Sequence, residues 1–204
     1  LSSLQGAFTS HLTGVLKNGY DLNNNRQGGI TQAQRLNLTA LGGIDNYGGR
    51  ISAQSGDATI NTANFDNRNG GLYAKGKINV TGNNFDNSGD NDGQIAGQQI
   101  DLNLGGALNN RLGIIESDST LAIKAASLDN QTGQLRALGT SGKTSFQIGG
   151  LFDNRNGTLE SANTDLTLAV GGFLNGGGSL LHVGNGTFDI STANVTGAGG
   201  SIVT

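Results

Sequence analysis

The chain has 204 residues, with 36 Gly, no Pro, no Cys and a formal net charge of −3. The missing Cys excludes disulfides, thiolate metal sites and Cys nucleophiles, and the charge leaves no basic footprint for nucleic acid or an anionic membrane. Hydrophobic residues are only 34 % of the chain, thin for a globular core unless a repeat pools them into one continuous interior.

No apolar run approaches transmembrane length. The chain opens LSSLQGAFTS, without Met or a signal pattern, and closes SIVT inside a pattern, so it reads as a segment excised from something longer. The absence of Pro fits strands that are paired on both edges, where a residue without an N–H is driven out.

In chain order, residues 1–20 fit no repeat and are expected to form an irregular or distorted first turn. From 21 to 204 one triplet recurs, an apolar residue, then Asp or Asn, then Asn. It begins at Leu22, Ile44, Phe65, Phe85, Leu108, Leu128 and Phe152, weakens at Phe173 (FLN) and decays at Val195 (VTG), at spacings of 20–24 residues. That period belongs to solenoids. The best copies are FDNRNGG at 65–71 and FDNRNGT at 152–158.

A Gly-rich corner follows each triplet and leads to a second apolar position: Ile30, Ile51, Leu72, Ile95, Ile114, Leu135, Leu159, Leu180 and Ile202. A third stretch then alternates, as in INV at 78–80 and LTLAV at 166–170. Period-two alternation marks strands with one face buried. Three short strands per unit make the turn of a parallel β-helix, so the expected fold is all-β, about nine turns of 20–24 residues, with almost no helix. The leucine-rich repeat fits less well, because its Asn follows a different spacing and its return segment is helical.

Asn24, Asn46, Asn67, Asn87, Asn110, Asn130, Asn154 and Asn175 share one column of the repeat. Successive turns stack about 4.8 Å apart, a spacing at which Asn side chains hydrogen-bond as a ladder. Asn also tolerates a left-handed corner. Arg68, Arg111 and Arg155 follow their anchor Asn directly on alternate turns, and each is in reach of an Asp on its own or a neighbouring turn.

Chemistry-bearing clusters are sparse. The only Glu residues, Glu116 and Glu160, are separated by one whole intervening turn, with Asp118 two residues beyond Glu116. With Arg111 and Arg155 they define a speculative surface-binding face and carry the second reading, a carbohydrate-binding or polysaccharide-cleaving β-helix. His11 and His182 are far apart along the axis, so no triad or His-rich metal site is expected. ALGTSGKT at 137–144 approaches a phosphate loop, but an alternating strand follows where a helix is required, so no nucleotide is expected. DNSGDNDG at 86–93 is an inserted carboxylate-rich loop without a complete Ca²⁺ ligand pattern. No catalytic residue, cofactor or resident metal is assigned.

The units LNN-x-x-G-x-I, FDNRNGG-x-L and LDNQTGQL, followed by strands such as LTLAVGG, resemble the haemagglutinin repeats of filamentous haemagglutinin-like exoproteins. That family contains large adhesins and contact-dependent growth inhibition toxins of Gram-negative bacteria. The resemblance spans residues 20–204, with departures at FLNGGGSL and VTGAGGSI. It implies a right-handed parallel β-helix in a long filament, secreted or held at the bacterial cell surface. It also implies export through the outer-membrane transporter of two-partner secretion, and a receptor or glycan on a host or neighbouring cell as a further partner.

Overall fold

The computed structural model describes residues 1–20, 27–89 and 93–204. Every described element is a strand, 22 in all, and the strand-to-strand pairings are parallel. They sort into three columns of stacked short strands, so the chain is a parallel β-solenoid of about eight turns. The anchor column pairs Leu16, Ile44, Phe65, Phe85, Leu108, Leu128, Phe152, Phe173 and Val195 level by level. The second column pairs Thr31, Ile51, Leu72, Ile95, Ile115, Leu135, Leu159, Leu180 and Ile202. The third carries the alternating stretches, including Ala58–Thr62 and Leu121–Ala125.

Alternation sets which side chains turn inward. In Leu121–Ala125 the odd positions Leu121, Ile123 and Ala125 are buried, while Ala122 and Lys124 face out. Inward residues lie over their own kind on adjacent turns. Phe65 stacks on Phe85 with ring centroids 4.4 Å apart, and Phe152 on Phe173 at 5.0 Å. Each buried Phe or Leu contributes about 1.5–3 kcal/mol, and the stack closes each interior layer with the next, so a sparse apolar quota suffices.

Three sequence expectations shift by a few residues. The anchor below Ile44 is Leu16, whereas the expected anchor Leu22 and its Asn24 lie outside the described residues. The step from Asn18 to Asn46 is therefore 28 residues, where the next is 21. In the second column the buried residues are Thr31 and Ile115, not Ile30 and Ile114. Ile30 is 54 % exposed. Each of these pairs has two candidate residues side by side, and pairing with the next turn selects the second. Residues 1–20 carry the strands Ser2–Leu12 and Val15–Lys17, the former paired with Ile30–Ala40 after a register shift between Ser3 and Ala7. At the other end Val195, Ile202 and Val203 are about half exposed, because no described strand lies above them.

One corner recurs after the anchor column. Two residues past each column Asn from Asn46 to Asn175 the backbone is left-handed, at Gly48, Asn69, Gly89, Leu112, Thr132, Asn156 and Gly177. Gly and Asn adopt this readily, but Leu112 and Thr132, at φ of 60° and 56°, do so at a cost of about 1–2 kcal/mol. The next residue is Gly at nearly every corner for a different reason. A Cβ on Gly133 would run into the Asn110 carbonyl of the turn below and lie 2.6 Å from Asn130 Oδ1.

These corners separate two glycine requirements that substitution distinguishes. Thr132 is exposed, so Thr132→Gly relieves strain and raises stability by about 0.5–1 kcal/mol. Gly133→Ala lowers it by about 3 kcal/mol or more, through backbone overlap. Paired thermal melts followed by circular dichroism read both signs. Destabilisation by Thr132→Gly would contradict the assigned corner.

Candidate functional site

The most ordered polar feature is a column of amides inside the anchor corner. Asn18 Nδ2 donates to Asn46 Oδ1 at 2.6 Å, Asn46 to Asn67 at 2.7 Å, Asn67 to Asn87 at 2.7 Å and Asn87 to Asn110 at 2.8 Å. The chain continues from Asn110 to Asn130, Asn154 and Asn175 at 2.7, 2.7 and 2.8 Å. Asn46 to Asn175 are fully buried. Asn18, which the triplet search passes over because Lys17 precedes it, takes the rung below Asn46.

Every bond in the column points the same way, and the surroundings dictate it. Asn110 Nδ2 also faces two carbonyls, Gly113 O and Gln134 O, both at 3.2 Å. A reversed amide would set its oxygen against those carbonyls. At the lower end Thr31 Oγ1 donates to Asn18 Oδ1 at 2.9 Å. At the upper end Gly197 stands where the next Asn would, and Asn175 Nδ2 keeps its bond to Ser201 O at 2.9 Å.

The Asp residues next to the column are fastened outside it. Arg68 grips Asp66 through two contacts at 2.7 and 2.9 Å and lies over the Tyr47 ring at 5.2 Å. Arg155 grips Asp153 on its own turn at 2.6 and 2.9 Å, and Arg111 reaches Asp129 on the next turn at 3.5 Å. The hydrogen bonds to Asp66 hold the Arg68 guanidinium above its ordinary range. Burial pushes the Asp153 carboxyl up, but hydrogen bonds from the Arg155 side chain and backbone N–H outweigh it and leave the carboxyl below the usual carboxylate range.

The surface-binding face expected from the sequence divides in two. Arg111 and Arg155 belong to the anchor corner. Glu116 and Glu160 belong to the second column, where Arg136 lies between them in register. Arg136 Nη1 meets Glu116 Oε2 at 2.8 Å and its Nε meets Glu160 Oε2 at 3.1 Å. The guanidinium fills the space a substrate would need between the two carboxylates. These part-exposed pairs contribute about 0–1 kcal/mol each. Asp118 is not in that cluster and lines a notch with Glu116 instead. Asp90 and Asp92 of the 86–93 loop lie outside the described residues, while Asp86 accepts hydrogen bonds from Ser88.

Two features escape the sequence search. Arg136 is visible only once Glu116, Arg136 and Glu160 are aligned to a single residue. A second buried polar corner forms where Asn163 Nδ2 donates to Gly139 O at 2.7 Å and Thr144 Oγ1 donates to Asn163 Oδ1 at 2.8 Å. Thr144 is the last residue of the phosphate-loop-like stretch, and the strand Lys143–Asp153 begins within it.

This geometry defines a class, a parallel β-solenoid whose turns are registered by a buried amide column. The haemagglutinin repeat family model matches residues 11–68, 51–111, 94–145 and 139–204. The chain therefore belongs to the haemagglutinin repeat family, whose members are typically secreted or at the cell surface and whose repeat is generally structural rather than enzymatic. No curated protein and no solved structure matches the chain significantly.

Removing one amide from the middle of the column orphans its neighbours. Asn110→Ala leaves the Asn130 oxygen and the Asn87 Nδ2 each short of a partner, at about 1–3 kcal/mol per buried group. The expected loss is about 3 kcal/mol in denaturant unfolding, and an effect under about 1 kcal/mol would show that the column does not hold the stack.

Asp153 makes stability depend on acid. A carboxyl lowered in the folded state adds stability that is fully present above the unfolded value, near pH 4, and is lost as pH falls through the folded value. Melting temperature should therefore drop more steeply below about pH 4 in the wild type than in Asp153→Asn. Equal slopes would contradict the assigned pairing.

Proposed function

We propose that the chain is a rigid, non-enzymatic stalk segment of a filamentous exoprotein that reaches the cell surface through a two-partner secretion transporter. Its role is to hold an adhesive tip, or a contact-dependent growth inhibition toxin, at a distance from the cell. The supporting observation is the continuity of the amide column, in which seven Asn-to-Asn bonds run from Asn18 to Asn175 without a break. Bending such a rod requires parting strand pairs and amide bonds together. Eight turns at the inter-strand spacing give a length of about 40 Å.

Family membership supports the structural part of this reading. The route of export and the cargo are extensions of it. Lateral side chains are free to vary, while the inward and corner positions carry the rod.

A stalk is replaceable by another stalk. Exchanging this segment, within the full exoprotein, for an unrelated β-solenoid of equal turn number should leave adhesion or toxin delivery within about two-fold of the parent, once equal surface display is verified. Normal display with lost activity would overturn the spacer reading, as would turnover of a polysaccharide by the purified chain.

A further inference from the structure

The outward row of the second column reads Ser52, Tyr73, Ala96 and Glu116 on four successive turns, paired in register. Ala96 offers only a methyl group between a Tyr ring and a Glu carboxylate. The result is an open notch of about 400 Å³, floored by Ala96 and Gly97. Its two walls carry opposite charge. Arg50 and Lys75 stand on the Tyr73 side, and Glu116 and Asp118 on the other. Tyr73 and Glu116 are two inter-strand steps apart, about 10 Å.

Part of the surface charge is already neutralised, Glu116 included, through Arg136. Arg68, Lys77, Arg111, Arg136 and Arg155 all sit in ion pairs. Lys75 and Asp118 are exposed, and among the described residues neither side chain has an ion-pair or hydrogen-bond partner. Arg50 engages only the Tyr73 ring, with Cζ 4.8 Å from the centroid. The notch thus separates Arg50 and Lys75 from the unpaired Asp118, and from Glu116, whose Oε2 accepts from Arg136, across a small-residue floor.

A neutral sugar is a poor match. Sugars stack on an open aromatic face, and here one face of Tyr73 lies under Arg50 while its hydroxyl donates to Gln94 Oε1 at 2.9 Å. A ligand with both charges suits the walls. In a polyproline II segment, residues i and i+3 share a face and lie about 9.3 Å apart, which matches the wall separation. We infer that the notch between Tyr73 and Glu116 binds an extended peptide that carries an acidic and a basic residue three positions apart. The acidic side chain lies against Arg50 and Lys75, the basic one against Asp118 at the Glu116 wall, and the backbone crosses Ala96. This inference stands on the notch alone and does not depend on the stalk reading.

The test titrates the purified chain, isotope-labelled for NMR, with an acetylated and amidated peptide Pro-Asp-Pro-Pro-Lys-Pro. Chemical shifts of Lys75, Ala96, Gly97 and Asp118 should move saturably, and added salt should weaken the binding. The Asn/Gln analogue of the peptide should bind about five-fold more weakly, since an exposed pair is worth up to about that factor. Ala96→Leu, which fills the floor, should abolish the shifts while the rest of the spectrum is preserved. Lys75→Glu combined with Arg50→Glu should lose the Asp/Lys peptide and gain the Lys/Lys peptide. The inference fails if the peptide moves no notch resonance at millimolar concentration, or if Ala96→Leu leaves binding unchanged. It also fails if cellohexaose moves those resonances and the peptide does not, which would make the notch a glycan site.

Discussion

The structure depends on the buried amide column. A primary amide has two donors and an oxygen acceptor, and at this corner the Asn side chains spend them within the stack. The oxygen receives the amide below, while the nitrogen serves the amide above and carbonyls of the Gly-rich corner. A buried polar group left unpaired costs about 1–3 kcal/mol, so the column tolerates neither a slipped turn nor a reversed amide. It therefore fixes register where apolar stacking alone would be permissive. A one-residue slip of a strand would also turn its inward side chains to solvent. The two constraints select the same register, and hydrogen bonds aligned in one direction polarise each other.

The unusual composition follows from that corner. The backbone must reverse within a few residues of each Asn while staying close to the turn below. A left-handed residue makes the turn, and the following glycine admits the neighbouring carbonyl. The 36 Gly are thus partly a consequence of amide stacking. The interior needs few apolar residues because each layer is shared by the turns above and below it. The insertion at 90–92 shows how local the demand is. Asn87 Nδ2 still reaches Gly93 O, at 3.3 Å, as Asn67, Asn110, Asn130, Asn154 and Asn175 reach the glycine three positions on.

Most of the architecture was legible in the sequence because its physics is periodic. The triplet, the second apolar position and the alternating stretch each repeat, and each has one structural meaning. Legibility ended where two neighbouring residues satisfied the same pattern. Leu22 with Asn23 and Asn24 matches the triplet better than Leu16 with Lys17 and Asn18, yet Leu16 pairs with Ile44 and Asn18 bonds Asn46. Ile114 and Ile115 are chemically equal, and only pairing with Leu135 decides between them. The lateral surface was less legible still. Contacts such as Glu116 with Arg136 join residues 20 apart, and an error of one position moves a side chain to the opposite face. The grouping of Arg111 and Arg155 with Glu116 and Glu160 by turn number could not separate the anchor corner from the second column.

A solenoid of this kind divides its residues by direction. Inward and corner positions answer to the stack, and their variation is narrow: Leu, Ile and Phe alternate in the anchor column beside an almost invariant Asn. Outward positions answer to nothing in the rod. In the second column they run Ser52, Tyr73, Ala96, Glu116, Arg136, Glu160 and Leu181 on consecutive turns, with no chemical repeat. Where neighbours in such a row are complementary, as Glu116, Arg136 and Glu160 are, they neutralise each other and the surface is inert. Where a small residue interrupts the row, as Ala96 does, nearby charges such as Lys75 and Asp118 remain apart and exposed. A rod therefore acquires a binding feature without altering a single residue that holds it together. Recognition in this molecule is to be sought at the interruptions of an outward row rather than in the residues that repeat.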